Sequence, residues 1–319
     1  MHFLFTDASP VHGEEFCQGE ATGKSKRDDQ TLPNRYRYRC LAWHRASDCQ
    51  GISEGGHQFG PGRAFGARVG TGAADIRATG VQVLTVPTDV TDREARSALV
   101  TTAERTFGAI DVLVNNAGGD PQREFHNYTA DEVEAIIQLN LTAPIELTRL
   151  LLPGMVARKQ GHIVNISSLG GRISFPHTEV YSACKDGLIG FTRVLRADYR
   201  ATEVTSSVLI LGSIGEAGAT ARTLQELNLQ MPAMGKAFSS PAEAVAKAVV
   251  KVLRNDKAEL VIMPGPGRLM KAQMDFFPGM GPRMNQRAGV TARMKQVADL
   301  REQEHAQGDA SVHHPAEQQ

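Results

Sequence analysis

Three side chains in this sequence could do chemistry together: Ser168, Tyr181 and Lys185. Tyr181 and Lys185 stand four apart in a segment with helical patterning, so their side chains share one face. A phenol with a reference pKa of about 10 exchanges protons poorly near neutrality. A neighbouring ammonium stabilises the phenolate and is expected to lower that pKa, the help a tyrosine acid or base needs. Ser168 follows the strand-like run His162–Ile166 and can hydrogen-bond a substrate oxygen. Residues four apart on a helix are neighbours whatever their purpose. Spacing alone therefore fits a half-buried tyrosine, a snorkelling lysine and a loop serine equally well.

The surrounding elements alternate. Val81–Val86 reads as a short strand, followed by a helix from about Asp92 to Phe107 and a buried strand over Ile110–Val114. A long helix begins at Ala130, with Val133, Ile136, Ile137, Leu141, Ile145 and Leu152 at helical spacing and a kink expected at Pro144. Then come the strand ending near Ser168, a helix from about Tyr181 to Arg200, a strand at Ser206–Leu211, a helix opened by Pro241 and a strand at Glu259–Met263. This alternation predicts an α/β fold with a doubly wound parallel sheet, whose ligands sit at the carboxyl ends of the strands.

Several motifs in register resemble the short-chain dehydrogenase/reductase family. Tyr181-Ser-Ala-Cys-Lys185 is similar to its Tyr-x-x-x-Lys motif, with Ser168 thirteen residues before. Asn115-Asn-Ala-Gly118 is similar to the motif after the fourth strand, Asn140 falls at the position of the family's active-site asparagine, and Asp89-Val90 resembles the pair that contacts adenine. The resemblance covers roughly residues 74–265 and implies a Rossmann-like oxidoreductase that moves a hydride between NAD or NADP and an alcohol or ketone. It implies Tyr181 as general acid or base, Lys185 as its modulator and ribose contact, Ser168 as the group orienting the substrate oxygen, and Asn140 as the holder of a relay water. Asn115, Ala117, Gly118 and Ile214 would complete the cofactor contacts, together with Asp89 and Val90. Two departures stand near Ile214: Leu211-Gly212 replaces the usual Pro-Gly, and Glu216 replaces a threonine. The family also implies a homodimer or homotetramer joined by the helices that begin near Ala130 and Tyr181.

The family's Thr-Gly-x-x-x-Gly-x-Gly loop, which cradles the cofactor pyrophosphate, has no counterpart here. Gly60–Gly66 has the wrong spacing, and Pro61 removes a backbone donor; Gly23-Lys-Ser25 lacks the earlier glycine of a P-loop. Residues 1–73 show no sustained period. Joining the third base of each codon to the first two of the next across residues 35–49 changes the reading. Both Arg-Tyr steps and Arg39-Cys40 then encode aliphatic residues, Trp43-His44 encodes Ala, and Asp48-Cys49 encodes Leu. The remaining steps permit an alternating aliphatic strand running into Gly-Met-Ala-Ser-Gly-Ile-Gly-Leu. We read a frameshift from roughly residue 30 or earlier to about residue 72, restored before Ala74; the alternative is a genuine divergent extension. On either reading the sheet is expected to be incomplete at its first βαβ unit, and the choice between NAD and NADP is illegible.

The bulk properties exclude other classes. The 319 residues carry 35 basic and 35 acidic side chains, so nothing in the balance suits a nucleic-acid protein. No apolar run approaching membrane-span length is seen, the start does not resemble a secretory leader, and a cytoplasmic protein is expected. Cys40, His44 and Cys49 lack a fourth ligand at a workable spacing, so no metal site is expected. Leu224, Leu227, Leu229, Met231 and Met234 make the substrate loop, residues 213–238, apolar and suggest a lipophilic substrate. His177 could line that pocket, although a solvated loop histidine fits it as well. Residues 266–319 are expected to form an amphipathic segment followed, from about Arg301, by a disordered tail. The competing function is a catalytically dead binding or scaffold protein that keeps the fold without the phosphate loop.

Overall fold

A computed structural model describes residues 2–6, 39–43, 82–173, 175–215, 219–230, 239–265, 276–277, 279–287 and 289–312. Its strands are β1 (His2–Thr6), β2 (Arg39–Trp43), β3 (Gln82–Thr85), β4 (Val112–Asn115), β5 (Gly161–Ser168), β6 (Val204–Leu211) and β7 (Glu259–Ile262). They form one seven-stranded sheet in the order β3-β1-β2-β4-β5-β6-β7, with every neighbouring pair parallel. The sheet is therefore fuller than expected at its amino-terminal side. β2 takes the central place beside β4, and β1 lies between β2 and β3. Doubly wound folds commonly run 3-2-1-4-5-6, so the first two strands here have exchanged places. The segments Gly23–Ser25 and Gly60–Gly66 lie outside the described residues.

Helix α1 (Arg93–Phe107) begins where Asp92 accepts from the Ala95 amide at 2.6 Å, and it ends at Gly108, whose φ of 76° suits glycine. Its buried Leu99, Val100, Ala103 and Phe107 face the sheet. The long apolar run from Ala130 is three elements: α2 (Ala130–Ile137), a π-helical turn (Gln138–Thr142) and α3 (Ala143–Arg158). The expected kink at Pro144 is instead a π-turn just before it, and Pro144 lies in the first turn of α3, where its missing N–H costs no hydrogen bond. Thr129 and Glu132 start α2 with a reciprocal capping box. By length and composition, residues 130–158 could cross a membrane, which corrects the sequence expectation. Their apolar side chains are used in the core: Ala143, Leu147, Leu151 and Met155 pack with Leu113, Ile163 and α1.

Alternation along the strands sends the opposite set to the other face. There Val112, Val114, Val164, Ile166 and Leu209 meet Ala248, Val249, Val252 and Leu253 of α6 (Ala242–Asn255). Helix α4 (Glu179–Asp198) lies along β5 and β6, tied by hydrogen bonds from Asn165 to Thr192 and from Ser206 to the Thr192 carbonyl. A fully buried leucine contributes about 1.5–3 kcal/mol, so these two layers hold the strand ends in place.

Three further helices complete the described residues: α5 (Ala219–Glu226), α7 (Met280–Arg287) and α8 (Val290–Val312). The expected disorder from Arg301 is corrected, because α8 continues through that position to Val312. Burial of Val297 and Ala298 and ion pairs of Arg301 and Glu302 supply the tertiary contacts that a polar sequence conceals.

Candidate active site

The carboxyl ends of β4 and β5 bring the predicted residues to one place. Ser168 ends β5, and Leu169-Gly-Gly171 turns the chain against the start of α4. A Cβ on Gly171 would lie 2.6 Å from the Asp186 backbone nitrogen, so only glycine lets this turn sit on the helix. Gly170 lies against both Tyr181 and Ser168: a Cβ there would be 3.3 Å from Tyr181 Cε1 and 3.4 Å from Ser168 Oγ. The two hydroxyls thus stand close enough for Ser168 to act on the acidity of Tyr181. The glycine pair after Ser168 was the unread signal for this juxtaposition.

Lys185 is buried, with Nζ donating to the Ile166 carbonyl at 3.2 Å and lying 5.5 Å from the centre of the Tyr181 ring. Burial lowers its pKa to about 8. Tyr181 is half-buried, and the desolvation of its hydroxyl pushes its pKa up to about 12. The neighbouring Ser168 hydroxyl acts in the opposite direction, while the nearby Asp120 carboxylate adds to the rise. This direction runs against the sequence expectation of a phenol made more acidic by its lysine. Lys185 stands beside the ring and is bonded to a carbonyl, so the low dielectric around the hydroxyl outweighs it.

Asn140 is fully buried on the π-turn, an irregularity that often marks functional sites. Its amide donates to the carbonyls of Gly119 at 2.8 Å and Ile136 at 2.9 Å, and its oxygen accepts from the Gly119 amide at 3.0 Å. The side chain therefore anchors the loop that leaves β4. A Cβ on Gly118 would lie 2.8 Å from Asn140 Oδ1 and 2.9 Å from Lys185 Nζ, so these two groups converge over one glycine.

Beside this cluster, Val90, Asn115, Ala117, Leu139, Ala143, Pro144 and Leu147 line a small recess with room for about one water. Asn115 donates to Asn165 at 2.8 Å, while its own oxygen is buried with no partner among the described residues. The orphaned acceptor gives this recess one polar contact that a donor on a bound molecule could satisfy. Asp89 is turned away: it is exposed and accepts from the amide and hydroxyl of Thr91. Arg96 holds this loop from below by donating to the Val90 carbonyl at 2.5 Å. Ile214 is nearly buried and bridges to Ser240, whereas Glu216, Met231 and Met234 lie outside the described residues. Leu224, Leu227 and Leu229 are partly buried on and after α5.

Fold and site together define a doubly wound parallel-sheet protein with a serine, a tyrosine and a lysine gathered at the carboxyl edge. The family description "short chain dehydrogenase" matches residues 64–227, and the chain belongs to that family. The match reaches ten residues further upstream than Ala74. The chain is 39% identical over 191 residues to the ketoacyl reductase HetN of Nostoc sp., covering 60% of this chain and 64% of that protein. It is 39% identical over 127 residues to the acetoacetyl-CoA reductase of Shinella zoogloeoides, covering 40% and 53%. It thus spans under two thirds of the length of these curated relatives. A metagenomic short-chain oxidoreductase in complex with NADP is similar in structure, with a TM-score of 0.51 and 27% identity over 62% of this chain and 82% of the other.

Proposed function

We propose that this chain is built to transfer a hydride between NAD or NADP and a ketone or alcohol, with Tyr181 as general acid in reduction and general base in oxidation. The observation that carries the reading is the convergence of Ser168, Tyr181 and Lys185 at the carboxyl edge of β5. A bound nicotinamide nucleotide would supply the hydride. Val90, Asn115, Ala117 and Gly118 would contact its adenosine side, with Lys185 and the Ile214 backbone toward the nicotinamide. Tyr181 holds its proton until a carbonyl oxygen approaches and then donates it as negative charge develops there. Ser168 positions the same oxygen by a hydrogen bond, and Lys185 stabilises the phenolate left behind. Asn140 holds the Gly119 loop and so maintains the shape of the proton path.

The names of the two relatives support a carbonyl on an acyl chain as the reacting group, and the partly buried Leu224, Leu227 and Leu229 support a lipophilic one. A homodimer or homotetramer through α3 and α4 belongs to this reading, and Val194 of α4 is an exposed apolar side chain on that surface. The missing glycine loop favours a second reading, a scaffold that no longer binds the nucleotide. Titration with NADH and NADPH, followed by nicotinamide fluorescence, separates the two. In a chain that turns over 3-oxoacyl substrates, Tyr181→Phe is expected to lower kcat by about 10²–10⁴-fold with unchanged cofactor affinity. Undiminished turnover in that variant would remove Tyr181 from the mechanism.

A further inference from the structure

One helix outside the catalytic cluster touches the segments that surround it. Arg123, whose side chain is 7% exposed, directs its guanidinium fork at Glu302 of α8, with Nε 3.3 Å from Oε1 and Nη2 3.2 Å from Oε2. It also pairs with Glu132 of α2, donates to the Asn127 carbonyl and lies 5.4 Å from the centre of the Tyr128 ring. The same Glu302 accepts the Glu124 amide at 3.1 Å. The Glu124 carboxylate meets Lys295 of α8 at 2.9 Å and His177 Nδ1 at 3.3 Å. His177 has a φ of 59°, a left-handed conformation that a bulky residue keeps only where its surroundings impose it. Farther along, Arg301 pairs with Glu226 of α5, and Arg293 donates to the Gln230 carbonyl at 2.6 Å.

These contacts fall on chosen segments. The loop carrying Arg123 and Glu124 starts at Gly119, which Asn140 holds on both sides. The loop carrying His177 runs from Ser168 to Tyr181. Glu226 and Gln230 belong to the apolar substrate loop. None of these ion pairs or hydrogen bonds reaches Val90 or α1, on the side of the orphaned Asn115 acceptor.

We propose that α8 is a clasp that sets the substrate wall of the site: through Arg123, Glu124 and Glu302 it fixes the two loops flanking Tyr181. This inference rests on the oxidoreductase reading for its consequence, selection among substrates by the bulk attached to the carbonyl carbon. A bidentate Arg–carboxylate pair closed over buried surface holds geometry far better than exposed pairs do. Its loss should loosen the substrate side alone.

The test uses the full-length chain with Glu302→Ala and Glu302→Gln. Hydrogen–deuterium exchange should quicken in residues 119–128 and 175–178 of Glu302→Ala, with β4 and β5 unchanged and Glu302→Gln intermediate. Steady-state kinetics should show a KM for the 3-oxo substrate raised about tenfold, a change of about 1.4 kcal/mol, with kcat and the cofactor KM within about twofold. Quickened exchange confined to α8 would overturn the clasp, as would a parallel loss of kcat and cofactor affinity. A wild-type chain without turnover would count against the oxidoreductase reading, and the exchange pattern would still decide whether α8 holds the loops.

Discussion

Strands β4 to β7 and strands β1 to β3 share one sheet but are held together differently. In the first group β5 and β6 are eight residues long, pair along their full length, and are buried at nearly every position. Helices α3, α4 and α6 interleave with them, and the polar chain Asn115–Asn165–Thr192 crosslinks β4, β5 and α4. In the second group the strands have four or five residues, and β3 begins at an exposed glutamine. Every group proposed to exchange a proton or touch the carbonyl comes from the first region. The pyrophosphate cradle should come from the second, where the sequence offers no glycine loop. On the proposed reading the proton-transfer groups all belong to the first half, while only the pyrophosphate cradle would fall to the second, so the cradle can be altered without touching the chemistry.

The largest effect is expected on the weaker half. Residues 35–49 would be replaced by the strand and glycine loop of the shifted frame. NADH or NADPH affinity should then rise by about a hundredfold, since several backbone donors and a helix start would meet the pyrophosphate. The nucleotide sequence upstream of the Ala74 codon should contain that frame. Its absence there, or an unchanged affinity, would make the amino-terminal segment a genuine extension.

The stronger half carries its own weakness in acid. His162 on β5 is fully buried, its Nε2 lies 2.7 Å from Ser207 Oγ, and desolvation lowers its pKa from 6.5 to about 4. Ser207 gives its proton to the Lys257 carbonyl, so His162 must donate to Ser207, and Nδ1 remains buried without a hydrogen bond. The unfolded chain takes up the proton first as the pH falls. The stabilisation is therefore complete above pH 6.5 and is lost between there and pH 4, by about 3 kcal/mol. Urea unfolding at pH 7.5 and pH 4.5 should show this loss in the wild type and its absence in His162→Gln. Equal pH dependence in both would move the acid sensitivity elsewhere.

A small effect completes the comparison. Arg193 and Glu259 join α4 to β7 at 2.7 Å, but the arginine side chain is 52% exposed. Arg193→Ala should change stability by less than about 0.5 kcal/mol in the same urea experiment. A larger loss would mean that surface charge shares the work assigned to the packed layers.

Much of the site was legible because its signals are local. Tyr181 and Lys185 are one turn apart, Ser168 ends an apolar run, and Asn115-Asn-Ala-Gly118 ends another. Helical and strand periods placed the strands from β3 to β7 and the helices α1, α4 and α6 to within a few residues, while α5 fell in a segment read as loop. Less legible were features that depend on distant partners. The π-turn at Asn140 exists with hydrogen bonds to Gly119, twenty-one positions away, and propensity does not foresee it. Arg123 carries no signal in the sequence, because its partner Glu302 lies in a segment whose composition suggests disorder.

By itself, then, the order of residues determined the parallel α/β plan through alternation and short-range periods, and singled out Ser168, Tyr181 and Lys185 through motifs that match the family in register. Only the tertiary structure decided that the Tyr181 phenol is held above its usual pKa, that Asn140 is bonded to the Gly119 loop, and that α8 is tied to the segments carrying Arg123 and Glu124. Each of those depends on burial and on contacts between residues far apart in the chain, where dielectric and geometry outweigh local preference.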